Sequence, residues 1–392
     1  MSFSTCLVSP DAIRLISGIL DEVTIGLQLN QTQKGRAKQS YNGVTDWLAA
    51  DGSDIGPYNP WLFPHGSLAQ DTTVHPISRS EFDLDIICRV DYARARRPED
   101  VYKAIWDRMH ANGTYRPLME DMPRCIRLNY AKESRFHLDI VPAIPDLGRG
   151  GTYILIPDGS GDGDGMVWKT SNPIGFKGWL EKKKVVVAFK EARARVDPLN
   201  EPLPAEQKAT LTKSIQLLKR WRDVRWENEP KLATPSIVLT YLAASLYQGE
   251  GSLAYAFENI LDGLTQFVDS GVRKIYSPVN DQEVISEKWL SKPEVHESFV
   301  EGVRHLRRRW DELLEIGADS TLGIPSLSAT MQGIFGEPVI GGVKSALGIY
   351  TQARATGNLH LDKKSASLLL QAPVVSVMPS AARVKPNTHF GN

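Results

Sequence analysis

Two short segments, FDLDI at residues 82–86 and FHLDI at 136–140, alternate carboxylates with large apolar residues. In an extended chain, residues two apart share a face. Asp83 and Asp85 therefore project together, while Phe82, Leu84 and Ile86 pack on the other side. The second segment repeats the device: Asp139 shares a polar face with His137, and Phe136, Leu138 and Ile140 face the core. If the two strands are neighbours, three carboxylates converge. Like charges that close are costly unless a cation or water neutralises them. Hard oxygen ligands in an incomplete cage suit Mg2+, which keeps waters and takes its remaining ligands from substrate phosphates. Two such ions, held by Asp83, Asp85 and Asp139, activate an attacking hydroxyl and stabilise a departing phosphate group.

An isolated DxD is more often an acidic strand end at the surface; its context here says otherwise. His65, Gly66 and Ser67 precede the acidic pair by the Ser/Thr-rich stretch LAQDTTVHPISRSE. Gly66 lets backbone amides approach a phosphate, and the Ser67 hydroxyl can donate to it. A lone Gly-Ser is usually a turn. The order gives it weight: Gly-Ser, a spacer, a strand with two acids, then a strand with a third. Arg79 and Arg89 flank this region as solvated strand ends or phosphate contacts. His65, His75 and His137 lack metal-ligand spacing.

The elements that must position these groups are also visible. From Asp11 to about Trp47, with Ile13, Ile16, Leu20, Val23 and Leu27 at helical spacing, the sequence predicts one long opening helix. DGSDIGPYNPWLFP predicts a loop. EFDLDIICRV, RCIRLNY and RFHLDIVPAI predict strands, and PEDVYKAIWDRMHA a helix opened by Pro98. The run from Pro157 to Met166 predicts a flexible loop near a lobe boundary. Beyond it, TLTKSIQLLKRWRDVRW, PSIVLTYLAASLYQ, LAYAFENILDGLTQFVDSGV and HESFVEGVRHLRRRWDELLEI repeat apolar residues at helical spacing. The basic run Arg304, Arg307, Arg308 and Arg309 predicts a solvated helix face. From Val374 onward a mobile tail is expected.

Bulk properties restrict the function. The 392 residues favour two lobes with a cleft between them over one core. Lys plus Arg equals Asp plus Glu at 46 each, so no global field draws the protein to nucleic acid or anionic membrane. Cys6, Cys88 and Cys125 form no CxxC pair, which argues against a zinc ribbon or disulfide framework. No run approaches the roughly 18 apolar residues of a membrane span. A cytoplasmic location with no membrane partner is expected.

The order of the motifs from His65 to Asp139 resembles the nucleotidyltransferase signature of the DNA polymerase beta-like superfamily. It is most similar to the branch of oligoadenylate synthases and cyclic GMP-AMP synthase-like enzymes, whose bacterial members are the CD-NTases of antiphage (CBASS) signalling. The resemblance runs from about Pro64 to Tyr247. It includes the helix SIQLLKRWRD followed by PSIVLTYLAA, similar to the pair that lines the nucleotide pocket in that branch. Carried over by position, it implies that Lys219 contacts a donor triphosphate and Ser236 bonds near it, alongside Gly66 and Ser67. Without the resemblance, Lys219 reads as part of a solvated basic face beside Leu217, Leu218 and Trp221.

The resemblance implies an α+β fold of two lobes. A small mixed-sheet nucleotidyltransferase core with a long N-terminal helix occupies 1–165, a mostly helical nucleotide-binding lobe 166–373, and a flexible tail 374–392. It implies a magnesium-dependent enzyme that makes a cyclic oligonucleotide from nucleoside triphosphates, ATP among them. The alternatives are a linear oligonucleotide synthase, an RNA or small-acceptor nucleotidyltransferase, or a catalytically silent nucleotide-binding scaffold. Two departures stand out. Ile237 follows Ser236 where relatives often place a stacking aromatic, and Gln70, Asp71, Thr72 and Thr73 stand where a Gly-Thr is familiar. No Cys/His insertion is present, so activation by nucleic acid is not indicated. The tail ending in HFGN is a possible handle for a regulatory protein.

Overall fold

A computed structural model describes residues 10–50, 52–77, 82–92, 97–130, 136–160, 165–184, 202–318 and 323–345, and strands at 359–362, 367–370 and 381–383. Two helices open it, α1 (Pro10–Gly26) and α2 (Gln31–Ala49). The single long helix expected from apolar spacing is thus broken. Asn30 caps α2 by accepting from the Gln33 amide, and the Gln33 side chain accepts from the Asn30 amide. This reciprocal capping box starts a new helix where the apolar pattern alone runs on.

The two helices then part company. α1 buries Ile13, Ile16, Leu20, Val23 and Leu27 in the large cluster built by the C-terminal helices, whereas α2 buries Ala37, Tyr41, Val44 and Leu48 in the cluster under the sheet. Leu27 lies in one core and Leu29 in the other. The chain therefore passes between the lobes within two residues, and α1 packs with the helices rather than with the sheet that follows it.

The sheet follows: β1 (Trp61–His65), the one-turn α3 (Gly66–Ala69), β2 (Phe82–Arg89), α4 (Pro98–His110), β3 (Met119–Asp121), β4 (Ile126–Asn129), β5 (Phe136–Pro145), β6 (Ile154–Asp158) and β7 (Val167–Ser171). Its seven strands run β1-β2-β5-β4-β3, with β6 and β7 continuing from β5. β2 and β5 are parallel, connected through α4, and every other pair is antiparallel. WLFP, expected as loop, is strand. β1 lies at the sheet's edge and pairs with β2 alone, the position where a proline such as Pro64 is tolerated.

On β2, Phe82, Leu84, Ile86 and Cys88 enter the core beneath the sheet, joined by Phe136, Leu138 and Ile140 of β5. The opposite face carries Asp83 and Asp85, then Ile87 in a small cluster with Phe63, Ala143 and Ile154. Burying each large apolar side chain contributes about 1.5–3 kcal/mol, and that holds the acidic face in place.

The second half is α5 (Pro173–Lys183), α6 (Thr210–Arg225), α7 (Ser236–Leu246), α8 (Leu253–Asp269), the hairpin β8 (Tyr276–Ser277) and β9 (Asn280–Val284), α9 (Glu287–Ser291), α10 (Pro293–Ala318) and α11 (Gly323–Phe335). Strands β10 (Leu359–Asp362), β11 (Ser367–Leu370) and β12 (Ala381–Arg383) form a separate sheet. Of the expected tail at 374–392, only β12 is among the described residues.

Indole N–H groups tie the helices together: Trp226 donates to Ser298, Trp289 to Thr234 and Trp310 to Glu258. The basic run on α10 departs from expectation at Arg307. Arg307 is largely buried, bonded to Glu258, Asp262 and Asp311, while Arg304 pairs with Asp269 and Arg309 with Glu312. These acids lie on α8 or one turn along α10; Arg307 is internal cement, while Arg304 and Arg308 stay on the exposed face that was expected. Among the described residues, no helix is long and apolar enough to cross a membrane.

Candidate nucleotide site

The parallel pairing of β2 with β5 sets Asp85 opposite Asp139 and Asp83 opposite His137. His137 Nε2 lies 2.7 Å from Asp83 Oδ1. On the outer side of β5, β4 brings Arg127 opposite Asp139, and the guanidinium donates to both carboxylate oxygens at 2.8 Å each. Burial would raise the pKa of Asp83, but the His137 hydrogen bond and the charges of His137, Arg127 and Arg222 outweigh it and hold the carboxyl below its usual range. At Asp85 the charges of His137 and Arg127 are outweighed. Burial first, then the carboxylates of Asp83 and Asp139, push it up to about 7.

Across from this floor, β1 ends at His65 and the chain turns at Gly66 with φ +66°, a left-handed conformation that suits glycine. A Cβ added at Gly66 would lie 1.8 Å from Asp85 Oδ2. Glycine is therefore required twice over, by the backbone angle and by the carboxylate packed against it. Burial lowers the His65 imidazole to about 4, which keeps it neutral beside the acids. Ser67 Oγ lies 3.0 Å from Thr73 Oγ1.

Helix α6 forms the other wall, and its side chains do something the sequence did not suggest. Lys219 is buried and donates to Thr72 Oγ1 at 2.8 Å. Burial first, and Arg222 second, depress its ammonium to about 7. Gln216 donates to Thr73 O and Arg220 to His75 O. Just outside the helix, Lys184 donates to Gln70 O and Lys208 to Asp71 O and Oδ1. Successive carbonyl and hydroxyl oxygens from Gln70 to His75 are thereby held by five side chains. The available signal was a polar stripe, Gln216, Lys219 and Arg220, at one-turn spacing on a helix whose neighbours are apolar.

A cavity of about 1,090 Å³ lies between these walls, lined by Gly66, Ser67, Asp83, Asp85, Lys219 and Ser236 among others. Six of the seven residues singled out in the sequence meet there. Ser236 opens α7, so the positive end of that helix faces the cavity. Asp139 is 7% exposed, is not among the lining residues, and is turned to Arg127. Arg89 lies apart, paired with Asp91 and stacked over Trp61. Arg79 is outside the described residues.

The outer wall was not legible in the sequence. Tyr153 donates to Val279 O, Ser171 to Glu283, and Arg149 to Asn280 and Asp281, which joins the core to the β8–β9 hairpin. Beside it, Glu287 of α9 accepts from Arg124 and Lys169, and both cations also pair with the buried Asp158. These contacts fix the width of the cleft.

The donor set, hard carboxylate oxygens with one acid forced toward its neutral form by like charges, fits a divalent cation that would relieve the repulsion. As arranged here, no three His, Cys, Asp or Glu side chains among the described residues are grouped to hold one ion. Asp139 joins such a group if Arg127 yields one of its two bonds.

Residues 17–184 match the Second Messenger Oligonucleotide or Dinucleotide Synthetase (SMODS) domain. The chain is 26% identical to a c-di-GMP synthase of Roseivirga ehrenbergii, an alignment covering 98% of this chain and 100% of that protein. It is 23% identical to the cyclic dinucleotide synthase CdnG of Bradyrhizobium diazoefficiens, over 95% of this chain and 94% of the other. The structure of that CdnG in complex with GTP superposes with a TM-score of 0.66, covering 84% of this chain and 97% of that one at 22% identity.

Proposed function

Because the chain is a nucleotidyltransferase of the bacterial CD-NTase family, we propose that it joins nucleoside triphosphates into a cyclic dinucleotide or oligonucleotide second messenger, with GTP among its substrates and ATP a second candidate. The observation that carries this reading is the meeting of Asp83 and Asp85 with the Gly66–Ser67 turn, Lys219 and Ser236 around one cavity. At about 1,090 Å³ it exceeds the roughly 300–1,000 Å³ of single-ligand pockets, room for a donor and an acceptor together.

Each wall has its part. The amides at the Gly66–Ser67 turn, the Ser67 hydroxyl and the start of α7 at Ser236 bind the donor triphosphate. Lys219, whose ammonium burial depresses to about 7, is held in its charged form when phosphate arrives and exchanges its Thr72 bond for the ligand. Asp83, Asp85 and Asp139 would hold two magnesium ions, which would supply charge neutralisation at the phosphates and a more acidic attacking hydroxyl. Asp139 orients that hydroxyl and accepts its proton, which requires Arg127 to release one carboxylate oxygen. His137 keeps Asp83 ionised and pointed into the cleft. A role in antiphage signalling follows by likeness to the family.

Incubation of the purified protein with the four nucleoside triphosphates and magnesium tests the reading, with phosphatase-resistant products identified by mass spectrometry. A cyclic product is expected, absent from the Asp83→Ala/Asp85→Ala variant. Linear products alone would make the protein an oligonucleotide synthase without ring closure.

A further inference from the structure

The strand registers set titratable side chains in one row across the sheet. His65 of β1 stands opposite Asp85 of β2, Asp85 opposite Asp139 of β5, Asp139 opposite Arg127 of β4, and Arg127 opposite Glu120 of β3. Facing residues on antiparallel strands project to the same side, with Cβ atoms about 4.5–5.5 Å apart. Asn129 fixes the side for Glu120: two residues beyond Arg127 on β4, it donates to the Glu120 carboxylate at 2.8 Å. Arg127 therefore stands between two carboxylates, Asp139 inward and Glu120 outward, and its bonds run to the inner one.

Resting on the proposed function, we infer that Arg127 has two seats and that Glu120 is the second: the guanidinium holds Asp139 as seen here and swings to Glu120 when Asp139 ligates a divalent cation. Both Asp139 oxygens are taken by Arg127, through Nε and one terminal nitrogen. A positive charge arriving among Asp83, Asp85 and Asp139 competes for those oxygens and repels the guanidinium one strand away. The Arg127 side chain is only 24% exposed, so giving up both bonds with no replacement would leave a mostly buried charge unpaired.

Glu120 supplies the replacement. It is exposed on β3, the outer edge strand, so a side chain turning that way meets no further strand. Asn129 occupies one of its carboxylate oxygens, Oε2, and the other can accept from the guanidinium. The planar fork of an arginine fits a carboxylate on either side. Rotation about the side-chain bonds is enough to exchange them, with the backbone of β4 held in its ladder. Glu120 is thus a positioning residue: it touches neither nucleotide nor ion and acts on Asp139 through Arg127.

Titration of the full chain with Mn2+, read by electron paramagnetic resonance, tests this in wild type, Glu120→Gln, Glu120→Asp, Arg127→Met and the double variant, with melting curves to verify folding. Glu120→Gln keeps an acceptor for Asn129 and removes the charge that draws Arg127 outward; Mn2+ affinity should fall roughly tenfold, the scale of one charge-assisted hydrogen bond. Glu120→Asp should recover part of the loss. Arg127→Met should raise Mn2+ affinity roughly tenfold, and adding Glu120→Gln to it should change the affinity by less than about twofold. Mn2+ affinity unchanged in Glu120→Gln would overturn the inference, and this variant at an exposed edge decides the matter even if Arg127→Met fails to fold. So would an equal loss from Glu120→Gln in the Arg127→Met background, which would make Glu120 a distant charge acting on the ion directly, or a wild type that binds no Mn2+. Glu120-dependent Mn2+ binding in a protein that joins no nucleotides would keep the two seats and sink the proposed function; nucleotide joining with Mn2+ binding indifferent to Glu120 would do the reverse.

Discussion

Strands β2 and β5 and helix α6 face each other across the cleft with opposite charges, and they handle those charges differently. On the strands, burial and the neighbouring carboxylates outweigh the charges of His137 and Arg127 at Asp85 and push it up to about 7. On the helix, Gln216, Lys219 and Arg220 are each engaged by an oxygen of the loop from Thr72 to His75. One wall leaves charge unbalanced for a ligand to complete; the other uses its donors to build the loop between them. A buried charge lacking a partner raises the energy of the empty protein, and binding recovers that energy. A buried donor already bonded stabilises the empty protein and gives rigidity.

The sharpest way to break the contrast is to remove the unbalanced charge. Asp85→Asn should lower nucleotide joining on the order of 10³-fold while making the metal-free protein more stable at neutral pH. The pH profile gives the sign. A carboxyl raised from 3.8 to about 7 keeps a proton in the folded state that the unfolded chain has lost. Metal-free stability should therefore fall as pH rises from about 4 to about 7 and level off above. Melting temperatures across that range should show the slope in wild type and a shallower one in Asp85→Asn, with magnesium restoring wild type above pH 7. Parallel profiles would refute the account.

Next in size is Gly66→Ala, which forces a methyl against Asp85 and a side chain into a left-handed backbone. A cost of about 1–3 kcal/mol is expected in chemical denaturation, with activity reduced more than tenfold. Lys208→Met tests the opposite wall. Its ammonium is buried and bonded to Asp71, so its loss should destabilise by about 1–3 kcal/mol and speed proteolytic cleavage near residues 70–75. The KM for nucleotide should rise severalfold with kcat nearly kept. Lys103→Ala on α4 sets the baseline: its pair with Asp107 is exposed on both sides and should shift stability by less than about 0.5 kcal/mol.

The two walls also differed in how far they could be read from sequence. The acidic strands were legible because alternation has a period of two and needs only local residues; Phe82 to Ile86 already says which side is core. Gly66 was legible by its order before the acids. Lys219 was found through family likeness, but its bond to Thr72 joins residues 147 positions apart, and no local pattern encodes such a pair. Arg127 went unnoticed for a similar reason: its meaning depends on β4 lying beside β5. The β1 strand was masked by Pro64, which signals a loop until the strand is known to be an edge. The hairpin at β8 and β9 is too short and too polar for any periodicity to show.

The passage of the chain between cores at Leu27 and Leu29 has a consequence in time. α1 leaves the ribosome long before α8, which begins at Leu253 and against which it packs. At about 5–20 residues per second, the interval between them is roughly 10–50 s. For most of that period, until α6 emerges, the apolar stripe of α1 lacks its partners in the helical lobe, while α2 and the sheet can already assemble. The growing chain therefore carries a partly uncovered apolar helix until α8 and α10 arrive, and the step that closes the helical lobe is the recapture of a segment made long before.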